Sequence, residues 1–320
     1  MKRFAALITA VGTLMMFAIS AQSADYIKWV DFNIPSEALE YTSKMDIDSH
    51  STENPMSWIN LLAMFATDNG GNFSAYSNEK VDKLVENYAE NLTKYAEKKL
   101  YNYYVEAYSA VLSGFLGDGV RYVTDEAGNT VAEGFYGITA YSPVAAGYYY
   151  NHYDDFGASR SYGYKRSHLG HDLMGSVGTP IIAIEGGYVE CIGWNQYGGW
   201  RIGIRSFDSK RYYYYAHLRR DHPYGDIYEG KIIHAGEVIG YLGMTGYSAK
   251  ENVNNINVPH LHLGMELIFD PSQKDGYCQI WTNMYEITKF LSNVKAPTVY
   301  DENLKEHVSR STVATKESWD

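Results

Sequence analysis

Pro259-His260-Leu261-His262-Leu263-Gly264-Met265 is the stretch on which the reading of this 320-residue chain turns. Leu261, Leu263 and Met265 alternate with His260, His262 and Gly264. A period of two belongs to a β-strand, where residues i and i+2 share a face. Both imidazoles then point the same way. Two converging imidazoles suit a divalent metal, or one metal ligand beside one acid–base group. The pair alone does not separate these readings, and the residues that do so lie upstream.

Ten histidines occur, and half of them form an ordered pattern. His168-Leu169-Gly170-His171-Asp172 comes first. His217 closes a run of four tyrosines in Tyr214-Tyr215-Ala216-His217-Leu218, and His260 and His262 come last. A catalytic zinc takes three protein ligands from His, Asp and Glu and keeps one position open. It lowers the pKa of its water towards neutrality and polarises a carbonyl under attack. One or two further groups must move protons and stabilise the oxyanion. His168, Asp172, His217, His260 and His262 supply candidates in those proportions.

These motifs and their order resemble the lysostaphin-type (LytM-like) zinc metallopeptidases, which cleave bacterial cell-wall peptides. The resemblance is carried by His168-x-x-x-Asp172, by Tyr215-Ala216-His217-Leu218 and by His260-x-His262. The framework agrees as well: Asp155-Phe156-Gly157-Ala158-Ser159-Arg160 is similar to the entry motif of that family. Gly178-Thr179-Pro180, with Ala183 and Gly187-Tyr188-Val189, comes after the Asp. Gly236-Glu237-Val238-Ile239-Gly240 and Gly243-Met244-Thr245-Gly246 precede the final pair. It spans about residues 150–268. Carried over position by position, it implies one Zn2+ per chain held by His168, Asp172 and His262, with His217 and His260 as the catalytic pair. It also implies an exported endopeptidase acting on stem or cross-bridge peptides of peptidoglycan. The competing reading is a non-enzymatic cell-wall scaffold or activator module of the same fold; retention of all five groups favours the enzyme.

Composition is consistent with that reading. The formal net charge is -11, which argues against nucleic acid, since phosphate binding needs a basic face. Such a charge does not favour an anionic wall either, so recognition is expected inside the groove. Lys2 and Arg3 precede an apolar run from Phe4 to about Ala21, with Ser23 and Ala24 just beyond it. Residues 1–24 read as a secretory leader, which places the protein at the cell wall or outside it. A membrane association is expected only if that segment is kept as an anchor. Export permits a disulfide between the two cysteines, Cys191 and Cys278, and free thiols are equally compatible.

The expected fold is α+β: an N-terminal helical region, then an antiparallel lysostaphin-like β domain of the duplicated-hybrid type with an open groove. Residues 25–117 are the helical region. Asn54 and Pro55 suit the start of a helix with Trp58, Leu61, Leu62 and Phe65 on its apolar face, stopped by Asn69-Gly70-Gly71. From Asn78 to Phe115, Val81, Val85, Tyr88, Leu92 and Tyr95 recur at helical spacing and predict one long helix. This region reads as a packing module that covers or positions the β domain. Residues 118–145 read as a hairpin and linker around Gly128-Asn129. Residues 146–294 form the zinc domain, closed by a helix from Trp281 to Leu291, and residues 295–320 read as a mobile polar tail.

His171 reads as structural or surface, and His50, His152, His222, His234 and His307 fall outside the pattern. Tyr148 to Tyr150 and Tyr212 to Tyr215 divide between strand packing and the groove. Trp194, Asn195 and Trp200 are candidates for its border. One departure from the family is visible. Ala249 to Val258 intervene between the Thr-Gly turn and the final His pair, where the family runs on almost directly. A longer loop at the cleft rim is expected to select substrate without touching the metal. Shortening residues 249–258 should therefore change peptide preference and leave zinc content unaltered, as read by product mass spectrometry and metal analysis.

Overall fold

The computed structural model describes residues 26–162, 164–274 and 278–318. The expected leader, residues 1–24, lies outside the described residues. Among the described residues are six α-helices and mostly antiparallel sheets. The helical region comprises α1 (Ser36–Ser49), α2 (Trp58–Asn69), α3 (Asn78–Val85), α4 (Tyr88–Ala96) and α5 (Lys99–Leu112). α2 begins later than Asn54-Pro55 suggests, because Ser57 caps it by accepting from the Asn60 amide. Its buried face holds Trp58, Leu61, Leu62 and Phe65, and Gly70 ends it in the left-handed region at φ 60°.

The single helix expected from 78 to 115 is instead three. Breaks fall at 86–87 and 97–98. The side-chain amide of Asn91 donates to the Leu84 carbonyl, and that of Asn102 to the Ala96 carbonyl. These contacts satisfy carbonyls released at the helix ends, so the apolar spacing continues while the backbone ladder does not.

Next in the chain is a hairpin, β1 (Leu116–Thr124) and β2 (Thr130–Ile138), turning through Gly128 at φ 86°. Then come β3 (Asn151–His152), the short hairpin β4 (Ser159–Tyr162) and β5 (Tyr164–Ser167), β6 (His171–Met174) and β7 (Pro180–Ile182). The floor of the domain is built by β8 (Gly187–Asn195), β9 (Gly199–Ser206) and β10 (Arg211–Ala216), after which come β11 (Ile232–Ile233), β12 (Val238–Tyr241), β13 (His260–Leu267) and β14 (Ile280–Thr282). The main sheet runs β11-β8-β9-β10-β13-β6-β3, with β14 on β13. The closing helix is shorter than expected. α6 covers only Tyr285–Phe290, because Trp281 lies in β14 opposite Glu266.

The expected mobile tail is folded. Residues 298–315 form β15 (Thr298–Asp301), β16 (Glu306–Ser309) and β17 (Ser311–Thr315). β17 pairs with β1 and buries Val313 and Ala314. Its pattern is too short to announce a strand; the partner strand supplies the hydrogen bonds that hold it.

Helical region and β domain share one continuous apolar core, from Leu62, Tyr108 and Phe115 to Ile184, Tyr213, Tyr215 and Met265. Arg211 crosses that junction. It is 2% exposed and donates from Nε and Nη2 to the Glu185 carboxylate at 2.8 and 2.9 Å. Its Nη1 reaches the Ala110 carbonyl near the end of α5 at 2.8 Å, and Nη2 reaches Asp208 at 3.0 Å. The helix end thus meets a cation, the sign its dipole favours. Arg211→Met leaves Glu185 buried without its partner and should cost about 3–5 kcal/mol in urea unfolding. Adding Glu185→Leu should recover part of that loss.

Candidate metal centre

The strand register assembles the site. β13 lies between β6 and β10, and His262 stands opposite Asp172 on one side and Ala216 on the other. His168 enters from the turn before β6. His217 comes directly after β10 in the left-handed region at φ 61°, which turns the chain sharply at the end of that strand.

His168 Nε2, Asp172 Oδ1 and His262 Nδ1 form a triangle with edges of 2.9, 3.0 and 3.1 Å. Tetrahedral zinc, with bonds of about 2.0–2.1 Å, separates its ligand atoms by roughly 3.3 Å. Two imidazoles and a carboxylate oxygen at these distances form a metal-competent set, and the residues present fit the ion. His168 Nδ1 donates to the Asp155 carbonyl at 3.1 Å and has Asp155 Oδ2 at 3.2 Å. That leaves the lone pair on Nε2, as metal ligation needs. Arg160 Nη2 ties Asp155 Oδ2 (2.6 Å) to Asp172 Oδ2 (3.2 Å). Burial opposes ionisation of Asp172, yet the imidazoles of His168, His262 and His260 beside it hold its carboxyl well below the usual carboxylate range. Burial, more than the opposing pull of Asp172, pushes His262 below the usual imidazole value, the direction that favours a neutral ring.

His217 and His260 stand next to the triangle, with ring centroids 4.8 Å apart. His217 Nδ1 donates to the Thr245 carbonyl and His260 Nδ1 to the Val258 carbonyl, each at 2.8 Å. Each therefore carries its lone pair on Nε2. His260 Nε2 is 3.8 Å from Asp172 Oδ1. Burial, and after it the charges of His260 and His262, pushes His217 down to about 3, so it is neutral at physiological pH. The five residues singled out in the sequence thus share one site.

Residues 166–276 match the model of Peptidase family M23. This stretch is an M23 peptidase domain. The L-Ala–D-Glu endopeptidase of Bacillus subtilis is 38% identical over 129 residues, 38% of this chain and 38% of that protein. Lysostaphin of Staphylococcus simulans is 35% identical over 96 residues, 30% of this chain and 17% of that one. The chain thus spans less than two fifths of the length of these curated relatives. A crystal structure from Ruminococcus gnavus, named for a lytM glycyl-glycine endopeptidase, superposes with a TM-score of 0.55 at 23% identity. It covers 83% of this chain and 90% of its own, so the shared fold extends beyond the M23 domain.

The M23 domain opens a groove of about 1000 Å³ over the five residues. No described residue between 26 and 145 lines it, so the helical region packs elsewhere. β10 divides its tyrosines by face: Tyr212 and Tyr214 line the groove, whereas Tyr213 and Tyr215 are buried in the core. Asn195 lines the groove; Trp194 and Trp200 do not, and instead pin the rim. Trp194 donates to the Ser248 carbonyl at 3.3 Å and Trp200 to Asn252 Oδ1 at 2.9 Å. The inserted loop reaches the groove with Asn255, Ile256, Asn257 and Val258. Tyr148 to Tyr150 are not among the lining residues. Both cysteines are free thiols. His171 is fully buried, with Nε2 3.2 Å from His152 Nδ1.

The entry motif is the only sequence signal for Asp155 and Arg160. Gly170 carries no comparable signal. A Cβ there would lie 2.5 Å from His262 Cε1 and 2.9 Å from the Leu263 carbonyl. Gly170→Ala should displace the His262 ring and weaken zinc binding at least tenfold, on the scale of a lost ligand-positioning contact. Calorimetric titration with zinc checks this, with circular dichroism to confirm the fold.

Proposed function

We propose that this protein is a zinc-dependent endopeptidase that hydrolyses peptide bonds of bacterial peptidoglycan. The observation that carries the proposal is the triangle of His168, Asp172 and His262, with His260 Nε2 3.8 Å from the same Asp172 oxygen. Names of the relatives support the substrate class: one is an L-Ala–D-Glu endopeptidase and others are lysostaphins. The leader-like segment supports action outside the cytoplasm. Among the described residues no helix is long and apolar enough to cross a membrane.

His168, Asp172 and His262 would hold the ion. Zinc bound there would supply Lewis acidity, lowering the pKa of water and polarising the scissile carbonyl. The chain's own residues do the rest. His217 and His260 are held with Nδ1–H on backbone carbonyls, so Nε2 of each accepts a proton. A proton taken from the attacking water at Nε2 is then donated to the leaving amine, which needs no other acid. Between these steps the imidazolium stabilises the oxyanion of the tetrahedral intermediate. The hydrogen bonds to Thr245 and Val258 fix both rings before substrate arrives, so little reorganisation accompanies the reaction. Asp155 and Arg160 act through His168 and Asp172, as positioning residues.

The ligand and proton-handling roles separate by mutation. His262→Ala should lose both zinc and peptidoglycan hydrolysis. His260→Ala should keep its zinc and lose activity by about 10²–10⁴-fold. Metal analysis of the purified variants, with mass spectrometry of the new peptide termini, reads both quantities. Equal loss of metal in the two variants contradicts the division of roles.

A further inference from the structure

Beyond the metal site the groove runs along the sheet to a row formed by Arg205, Tyr212, Glu266 and Trp281 on β9, β10, β13 and β14. This row is four residues along β13 from His262, about 13 Å at the rise of an extended strand. Arg205 is buried there, its side chain only 3% exposed. Nε donates to Glu190 Oε2 at 2.7 Å, and the guanidinium lies over the Tyr212 ring, 4.9 Å from its centroid. Its two terminal nitrogens, Nη1 and Nη2, have no hydrogen-bond partner. Glu190 offers no second fork, because its other oxygen is taken by Lys274.

An arginine cannot escape this position by losing its charge. Buried N–H donors without acceptors are rare in folded proteins, and an unfilled ligand position is one ordinary reason for them. Arg201 stands close by and is similarly incomplete. Its Nη1 donates to Cys191 Sγ at 2.9 Å, and its buried Nε has no partner. Leaving aside the metal ligands and Arg160, the groove is lined by Arg166, Arg201, Arg205 and Lys274 against Glu190 and Glu266. It therefore carries a local excess of positive charge in a chain whose formal net charge is -11. Two parallel N–H donors in one plane match a carboxylate.

We propose that Arg205, with Arg201 as the second cation, forms a subsite for a carboxylate of the peptide substrate, held about four extended residues from the metal centre. This rests on the peptidase reading above. The subsite makes a free carboxylate a determinant of which peptides are bound, and amidation of that carboxylate a way to escape the enzyme.

The test uses the full chain and two probes: a synthetic peptidoglycan stem pentapeptide with every carboxylate free, and the same peptide with every carboxylate amidated. Binding is measured calorimetrically on chelator-treated protein, where cleavage cannot interfere, and hydrolysis on the zinc-loaded protein. The free peptide should bind roughly tenfold more tightly, the scale of a charged hydrogen-bonded pair. Arg205→Gln should bring that ratio close to one, and Arg201→Gln should reduce it. Arg205→Lys retains a cation for Glu190 but lacks the fork, so it should also lose the preference even if Arg205→Gln folds poorly. Equal binding of both probes by the unaltered protein overturns the subsite, as does an undiminished ratio in folded Arg205→Lys and Arg201→Gln. Preferential binding without hydrolysis sinks the peptidase reading and leaves the subsite standing. Hydrolysis with indiscriminate binding does the reverse.

Discussion

The pairing of β13 with β6 and β10 is the constraint on which everything else in this molecule depends. Because His262 stands opposite Asp172 and Ala216, backbone hydrogen bonds bring Asp172, His262 and the residue after Ala216 into one row. A slip of one residue would turn both histidines of the pair to the other face of the sheet. The metal centre is thus a consequence of strand register, and the register is secured by the buried alternation of Leu261, Leu263 and Met265. Side chains then refine it. Backbone carbonyls of Asp155, Thr245 and Val258 set three of the four imidazoles by accepting their Nδ1–H groups.

The same sheet serves two masters through one period-two pattern. Tyr212 and Tyr214 face the groove, while Tyr213 and Tyr215 are buried in the core on the other face. Tyr213 hydroxyl donates to Glu185 at 2.5 Å, joining the network in which Arg211 reaches the end of α5. The helical region is thereby built into the back of the main sheet, away from the groove. This favours support of the sheet over obstruction of the cleft. The folded C-terminal strands add to that support, since β17 connects the hairpin of β1 and β2 with Ala235 of the β domain.

Charge is distributed against the average of the chain. The protein is acidic overall, yet arginines and a lysine gather in the groove. Low exposure strengthens each of these interactions relative to water, which is why the unfilled donors of Arg205 matter more than any charge on the surface. Local field, and not net charge, governs what such a groove accepts.

The linear order of His168, Asp172, His217, His260 and His262 was enough to single out the five residues that the fold brings together, because residue types and strand alternation are written in local sequence. The α+β class and the face of α2 were equally legible, since both arise from local periodicity. Other features depended on partners distant in the chain. The breaks in the long helical pattern are the exception, since the carbonyls they release are met locally by Asn91 and Asn102, seven and six residues away. The polar tail became a strand because β1 offered its open edge. Arg205 gave no signal in sequence, because its unpaired donors exist only after β9, β10 and β13 have closed around it. Sequence alone determined which residue types face one another along a strand, since the pleat imposes that alternation. Only the tertiary structure decided which strands became neighbours, and hence how three donor atoms up to 94 residues apart came within 3.1 Å of one another.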